Sequence, residues 1–198
     1  MGRPTNIETR RAQVADAMID LLAHGTFEQV TVAAMAKTAG LAPGLVHHNF
    51  ASKEDVLTLA VDRLALRLEA RLADRLRTAG DDARAQVNAF IDAWLVPGPL
   101  DDPRAAMAWV TIGDEARRRP TVRTVYLASL SRAKARLVDA VSRVMRPSRK
   151  PTAEHIAQAL IVAIEGALRV GVAGGLVPGS AAPLVRSLAT ALLPRIRD

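Results

Sequence analysis

The sequence contains no cysteine. This absence excludes a disulfide scaffold, a zinc site built from thiolates and a cysteine nucleophile. It also fits a protein that folds in a reducing, intracellular compartment. Because 49% of the 198 residues are hydrophobic, the chain has enough apolar side chains to build a core without such cross-links.

Long uninterrupted hydrophobic runs are also missing. The amino terminus carries charged side chains from Arg3 onward and lacks the apolar centre of a signal peptide. The most apolar later run, residues 156–172, is interrupted by Gln158, Glu165 and Arg169. We therefore expect no membrane span and a soluble, cytoplasmic protein.

The alternating pattern of a β-strand does not occur in any segment. Apolar residues instead recur at helical spacing between glycine and proline breaks. The predicted helices cover about residues 7–24, 31–39, 43–50, 52–79, 83–96, 103–118, 120–145, 152–174 and 181–196. This pattern predicts an all-α protein with a three-helix amino-terminal head, residues 1–52, and a six-helix body, residues 53–198.

The net charge of +7 is not concentrated in the head. Through Lys53 there are five basic and four acidic residues, a balance of +1, and the remaining 22 basic and 16 acidic residues contribute +6. Bulk basicity therefore does not mark the head as a nucleic-acid surface.

Arginines recur at every fourth position of the fourth predicted helix: Arg63, Arg67, Arg71 and Arg75. This row is either a phosphate-binding ladder or a solvated face paired with the nearby carboxylates of Asp62, Glu69 and Asp74.

Residues 31–53, TVAAMAKTAGLAPGLVHHNFASK, form the most informative stretch. Its pattern predicts two short helices joined by a tight turn, with Thr31 capping the first and Gly40 ending it. Pro43 fits the first turn of the second helix, where no amide donor is needed. Val46 and Phe50 carry the apolar side of that helix. Facing outward are Gly44, Leu45, His47, His48 and Asn49.

A short helix that exposes a glycine, two imidazoles and an amide suits a groove of DNA base edges and phosphates better than an active site. The stretch resembles the helix-turn-helix of the tetracycline-repressor (TetR) family of bacterial regulators. The matching residues are Thr31, Ala36, Gly40, Gly44, Leu45, Val46, His47, Phe50, Ser52, Lys53, Glu54 and Leu57. Many members have tyrosine where His47 and Asn49 stand, so whether these two contact bases or phosphates stays open.

The resemblance implies a regulator, most often a repressor, that binds a double-stranded DNA operator. Its predicted DNA-binding residues are Arg3, Thr31, Lys37, Pro43, Gly44, Leu45, His47, His48, Asn49 and Lys53. Leu45, His47, His48 and Asn49 are expected to read bases, and Arg3, Thr31 and Lys53 to hold the DNA backbone.

The last two predicted helices are rich in small residues, which let helix backbones approach closely. In a TetR-like body such helices pair with their symmetry mates, so the resemblance implies a homodimer that binds a palindrome. The predicted interface residues are Ile156, Leu160, Ala163, Ala167, Leu184, Leu188 and Leu192. Burial of these residues inside one subunit is the alternative.

Aromatic residues make up only 3% of the chain, and four of them fall in the middle helices. A TetR-like body implies a small-molecule effector held among these helices, in an apolar pocket with a few polar groups. The predicted pocket residues are Phe90, Trp94, Trp109, Asp114, Tyr126, Glu165 and Arg169. The segment from Trp109 to Pro120 is also similar to the choline-responsive, BetI-like branch, which implies a cationic effector.

An enzyme is disfavoured. His47 and His48 are adjacent, so they point apart on a helix and cannot chelate a metal as an i, i+4 pair does. Gly171, Gly174 and Gly175 end a helix and follow no strand, unlike a nucleotide-binding loop. We therefore predict no catalytic residue, metal or cofactor. A helical interaction module without DNA binding remains the other alternative.

Overall fold

The computed structural model describes residues 6–96, 104–145, 150–176 and 179–193. Within these ranges the chain forms α-helices and no strand, which confirms the predicted all-α class. The helices are α1 (Asn6–Leu22), α2 (Val32–Ala39), α3 (Pro43–Asn49), α4 (Lys53–Ala79), α5 (Ala83–Leu95), α6 (Arg104–Ala116), α7 (Pro120–Val144), α8 (Lys150–Val172) and α9 (Ala181–Leu192). Within the described ranges, α1–α3 are followed by α4–α9, the helix order that the sequence predicts.

Local signals set the bounds of α2. The Thr31 hydroxyl accepts a hydrogen bond from the Ala34 backbone N–H at 3.1 Å. Gly40 ends the helix in the left-handed conformation, with φ 67°, a region that glycine enters without steric cost. The Leu41 N–H then donates to the Ala36 carbonyl at 2.9 Å and closes the cap.

The chain divides into two compact units. Unit 1 comprises Met1–Arg67 and Asp102–Ser129, and unit 2 comprises Leu68–Asp101 and Leu130–Asp198. Helices α4 and α7 each contribute residues to both. The sequence-based boundary between residues 52 and 53 separates predicted roles and stays a prediction.

The core of unit 1 forms where α1 contacts α2, α3 and α6. Met18, Met35 and Leu57 are fully buried there. The Thr111 hydroxyl of α6 donates to the Leu22 carbonyl at 3.2 Å and fixes α6 to the end of α1. The head therefore packs directly on α6.

Unit 2 is built from contacts among α5, α8 and α9. Phe90, Leu160 and Ile164 are buried at its centre. Arg186 of α9 donates to Asp92 of α5 at 2.8 Å, an ion pair that holds these two helices in register.

The arginine row of α4 matches neither of its two sequence-based interpretations. Arg63 binds both carboxylate oxygens of Asp16 on α1, at 2.7 and 2.6 Å, and Arg67 binds the same carboxylate at 2.6 Å. Arg71 and Arg75 both donate to the Val96 carbonyl, at 2.9 and 2.8 Å. These partners belong to α1 and to the end of α5. The arginine row therefore connects α4 to other helices.

Helix α8 contains a stretch, Thr152–Val172, that is long and apolar enough to cross a membrane by length and composition alone. The core helix of a soluble protein passes the same test, and Ile156, Leu160 and Ile164 of this stretch are buried in unit 2. Packing in unit 2 accounts for part of its apolar character.

Replacing Asp82 should destabilise α5. Its carboxylate accepts hydrogen bonds from the N–H groups of Arg84 and Ala85, at 2.8 and 3.1 Å, and so caps the helix. We expect Asp82→Ala to lower the free energy of unfolding by about 1 kcal/mol, measured by urea denaturation. Asp81→Ala, a change to the exposed neighbouring carboxylate, is the control. An equal effect of both substitutions would indicate a general charge effect and contradict the cap.

Candidate nucleic-acid interface

The second helix of the turn motif offers one face to the exterior. Helix α3 contacts α1 and α2, and its Val46 and the following Phe50 are buried. Pro43, Gly44, His47 and His48 are exposed, whereas Leu45 and Asn49 are half-buried. The predicted outward face is therefore exposed at Gly44, His47 and His48 and only partly exposed at Leu45 and Asn49.

Gly44 lies in open space. A methyl group added to its α-carbon would find no atom of the protein within 4 Å, and its backbone is not in the positive-φ region. The fold thus gives no reason for glycine at this position. A requirement for glycine here must come from something outside the chain that approaches the helix closely.

Arg11 of α1 holds the end of α3. Its guanidinium donates to the Asn49 carbonyl and lies 4.3 Å from the centre of the Phe50 ring. The sequence analysis did not identify Arg11 as a site residue. Its position in α1, 38 residues before its partner, gives no local signal of this contact.

The other predicted DNA-binding residues fall into three groups. Thr31 and Lys37 are exposed, and the Thr31 hydroxyl accepts the capping bond but keeps its own hydrogen for a donor role. The Asn49 amide donates to the Leu45 carbonyl at 2.6 Å, so part of its hydrogen-bonding capacity is used within α3. Arg3 lies outside the described residues.

Lys53 has an internal role that the sequence did not predict. Its ammonium donates to the carbonyls of Phe27 and Val30, at 2.7 and 2.9 Å, and lies 4.2 Å from the centre of the Phe27 ring. Two of its three N–H donors are therefore occupied. A phosphate contact by Lys53 stays a prediction that the remaining donor would have to satisfy.

A second cation contacts the Phe27 ring. The Arg119 guanidinium, between α6 and α7, lies 4.1 Å from the centre of the Phe27 ring. It also approaches three carboxylates, those of Glu115 at 3.0 Å, Glu54 at 3.6 Å and Glu28 at 3.6 Å. We name Phe27, Lys53 and Arg119 the Phe27 clamp. It joins the loop before α2, the start of α4 and the junction of α6 with α7.

Glu28 at the edge of this clamp favours its ionised form. A backbone hydrogen bond to its carboxylate is the main reason that the pKa of Glu28 lies below its ordinary value of 4.5. Desolvation opposes this shift, and the charges of Arg118 and Arg119 reinforce it. The carboxylate therefore remains available to both arginines at neutral pH.

The predicted effector residues are distributed over both units. Trp109, Asp114 and Tyr126 belong to unit 1, and Phe90, Trp94, Glu165 and Arg169 belong to unit 2. The rings of Trp109 and Tyr126 pack against each other, with centres 4.8 Å apart. Phe90 and Trp94 are both buried.

Unit 2 contains a cavity of about 430 Å³ that Phe90 helps to line. The sequence analysis predicted only this one of its lining residues. The others lie on α4, α5 and α7, and they are Leu72, Leu76, Gln86, Ala135, Arg136, Asp139, Ala140 and Arg143.

The residues predicted for the dimer interface differ in how far they are buried. Leu184, Leu188 and Leu192 of α9 are 60%, 38% and 38% exposed. Ala163 and Ala167 are half-buried. Ile156 and Leu160 are instead 7% and 0% exposed, because they face the core of unit 2. These two residues pack within one chain, as the alternative reading of the sequence allowed.

Two family sequence models match the chain. One, described as "Bacterial regulatory proteins, tetR family", matches residues 14–60. The other, "BetI-type transcriptional repressor, C-terminal", matches residues 83–194, more than half of the chain. The chain belongs to the TetR family. The TetR resemblance and its BetI-like branch are thereby confirmed.

Relatives of this TetR-family chain include regulators named BetI. It is 29% identical over 171 residues to the HTH-type transcriptional regulator BetI of Stenotrophomonas maltophilia, covering 84% of this chain and 83% of that protein. It is 28% identical over 157 residues to BetI of Rhizobium meliloti, covering 79% and 75%.

Solved structures have the same fold. A transcriptional regulator from Rhodococcus sp. Rha1 is 25% identical with a TM-score of 0.78, covering 92% of this chain and 95% of that one. A transcriptional regulator from Saccharomonospora viridis, solved in complex with choline, is 20% identical with a TM-score of 0.74, covering 93% and 98%. The latter shows the fold alone.

As a TetR-family member the chain is a DNA-binding transcriptional regulator and not an enzyme. The residues that the family model matches, 14–60, include α2 and α3, the elements whose exposed face is described above. Within the part of the chain that the structure describes, no three His, Asp or Glu side chains are placed to hold a metal ion.

Lys53 should be a structural residue of the head. We expect Lys53→Met, which keeps most of the length of the side chain but removes the ammonium, to lower the free energy of unfolding by about 2 kcal/mol in urea denaturation. Lys37→Met is the matched control, since Lys37 is exposed and should leave stability unchanged. A Lys53→Met protein as stable as the parent, yet weak on DNA, would instead make Lys53 a phosphate ligand.

Proposed function

We propose that the protein is a ligand-responsive repressor that binds a palindromic operator as a homodimer and leaves it when a small molecule binds the body. The exposed face of α3 carries this proposal, because Gly44 has open space beside its α-carbon and His47 and His48 are exposed, which suits a groove of DNA. We expect this protein to act in the cytoplasm.

Two copies of α3 would enter successive major grooves, about 34–36 Å apart. Leu45, His47, His48 and Asn49 would face the base edges, while Thr31 and Lys37 would approach phosphates. The near-neutral head offers few phosphate contacts, so a single head should bind weakly. A dimer would bind DNA through two heads at once, and this would raise the affinity above that of a single head.

An exposed apolar face on α8 and α9 supports the dimer. Leu184, Leu188 and Leu192 recur every fourth residue and form one stripe along α9. Val162 and Val170 of α8 are also exposed, at 62% and 46%. Apolar side chains grouped in this way on a soluble protein are typical of an interface, and a second copy of the chain would cover them.

Release of the operator requires that the effector favour a different arrangement of the body. A preference of about 1–3 kcal/mol between two arrangements would change operator occupancy substantially. The choline complex of the Saccharomonospora viridis regulator supports a small-molecule site in a body of this fold. The Phe27 clamp offers a route of communication within unit 1, since it joins the α6–α7 junction to the head.

Gly44→Ala should weaken DNA binding without destabilising the fold. We expect operator affinity to fall at least about tenfold, or about 1.4 kcal/mol, because a methyl group would obstruct close approach to DNA. Stability should rise by up to about 1 kcal/mol, since alanine is the better helix former. Fluorescence anisotropy with the promoter DNA that flanks the protein's own gene measures the first effect, and urea denaturation the second.

The matched control is Gly171→Ala in α8, where an added methyl group also meets no atom within 4 Å. It should leave operator affinity unchanged. If Gly44→Ala bound the operator as tightly as the parent chain, this would contradict the proposed close approach of α3 to DNA. No binding by the parent chain at any salt concentration would favour the interaction module without DNA binding.

Charged substitutions in α9 should separate the subunits. Leu184→Glu together with Leu188→Glu would bring carboxylates of two chains into one apolar interface, so sedimentation at micromolar concentration should show a monomer with weakened operator binding. The control is Leu66→Glu with Leu127→Glu, which changes leucines of unit 1 that are 63% and 51% exposed. A parent chain that sediments as a monomer at micromolar concentration would refute the dimer.

A further inference from the structure

We infer that the cavity in unit 2 binds an organic acid with an apolar body, its carboxylate at Arg136 and a hydrogen-bond donor near Gln86. The inference rests on the proposed function, because it names the chemical class of the effector. At about 430 Å³ the cavity is within the range of small-molecule sites.

The inner wall of the cavity is apolar. Leu72, Phe90 and Ala140 are all buried, and they belong to α4, α5 and α7. A ligand that fills this space must therefore present hydrocarbon to three helices. Phe90 is the aromatic ring of the lining, so the cavity lacks the cage of several rings that holds a quaternary ammonium.

The rim of the cavity carries three charged side chains on α7. Asp139 and Arg143 are one helical turn apart and form an ion pair at 3.0 Å, so their charges offset each other. Arg136 is exposed and makes no ion pair with any described residue. The rim is thus positive by one charge, which favours an anion over a cation. A guanidinium binds a carboxylate with two parallel hydrogen bonds.

The helices also indicate the length of the ligand. Arg132 of α7 contacts Glu69 of α4 at 3.3 Å, and both helices line the cavity beyond this point. They therefore run in the same direction along it. Arg136 and Arg143 are roughly 10 Å apart along the axis of α7. A chain of ten carbons spans that distance.

Gln86 marks the far end of the cavity. Its amide N–H donates to the Gly80 carbonyl, which places it beside the turn between α4 and α5 and fixes the orientation of the amide. The side chain is only 8% exposed, and its Oε1 accepts no hydrogen bond from any described residue. A buried acceptor without a donor is unfavourable. Since Gln86 lines the cavity, this oxygen is the acceptor that the proposal assigns to a ligand hydroxyl.

Calorimetry on the full chain tests the proposal with three probes of equal chain length: 10-hydroxydecanoate, decanoate and decyltrimethylammonium. We expect saturable binding of one acid per chain, at least tenfold tighter than that of the cation, with 10-hydroxydecanoate tighter than decanoate. A cation that binds as tightly as the acids would overturn the proposal.

Two variants test the proposed contacts of Arg136 and Gln86 with the ligand. Arg136→Gln should weaken both acids about tenfold, and Gln86→Leu should abolish the preference for the hydroxylated acid. The matched control, Arg132→Gln, changes an arginine one turn away that does not line the cavity. Acid binding that Arg136→Gln leaves unchanged contradicts the proposed site, and because Arg136 is exposed this variant should fold normally.

Operator binding is measured separately by anisotropy, so that the two proposals can fail independently. Absence of acid binding in a chain that still binds its operator contradicts the inference about the cavity alone. Acid binding that leaves operator affinity unchanged supports the cavity and contradicts release by this ligand.

Discussion

The Phe27 ring, held between two cations, is the contact on which the head depends. Lys53 and Arg119 lie 4.2 and 4.1 Å from the ring centre. Each cation is held in turn, Lys53 by two backbone carbonyls and Arg119 by the carboxylate of Glu115. The ring therefore cannot shift without disturbing the start of α4 and the end of α6. This constraint gives α2 and α3 a fixed support behind their exposed face.

The two units carry different kinds of chemistry. In unit 1 the exposed groups of α3 are Pro43, Gly44, His47 and His48, and the polar contacts of Arg11 and Lys53 brace helices. Unit 2 contains a cavity and exposed apolar side chains on α8 and α9, features that suit a ligand and a second subunit. The residues proposed for DNA recognition and those proposed for the response to an effector thus form separate sets.

Local signals explain why the helices and the outward face of α3 could be predicted from the sequence. Thr31, Gly40 and Pro43 act on residues within a few positions, so their effects are visible in the order of residues. The roles of Arg11 and Lys53 were missed because their partners are 38 and 23 to 26 residues away. In α8 the apolar residues are too numerous for periodicity to tell the core side, with Ile156 and Leu160, from the exposed side. The cavity depends on three helices at once, which no single segment reveals.

The arginines that donate to backbone carbonyls have a consequence for the effect of salt. Arg11, Arg71 and Arg75 bind the dipoles of Asn49 and Val96 from partly buried positions. Dissolved ions screen such contacts much less than they screen exposed charges facing phosphates. Rising ionic strength should therefore dissociate the protein from DNA while its helices remain packed. The regulator can leave DNA at high ionic strength and stay folded for the next encounter.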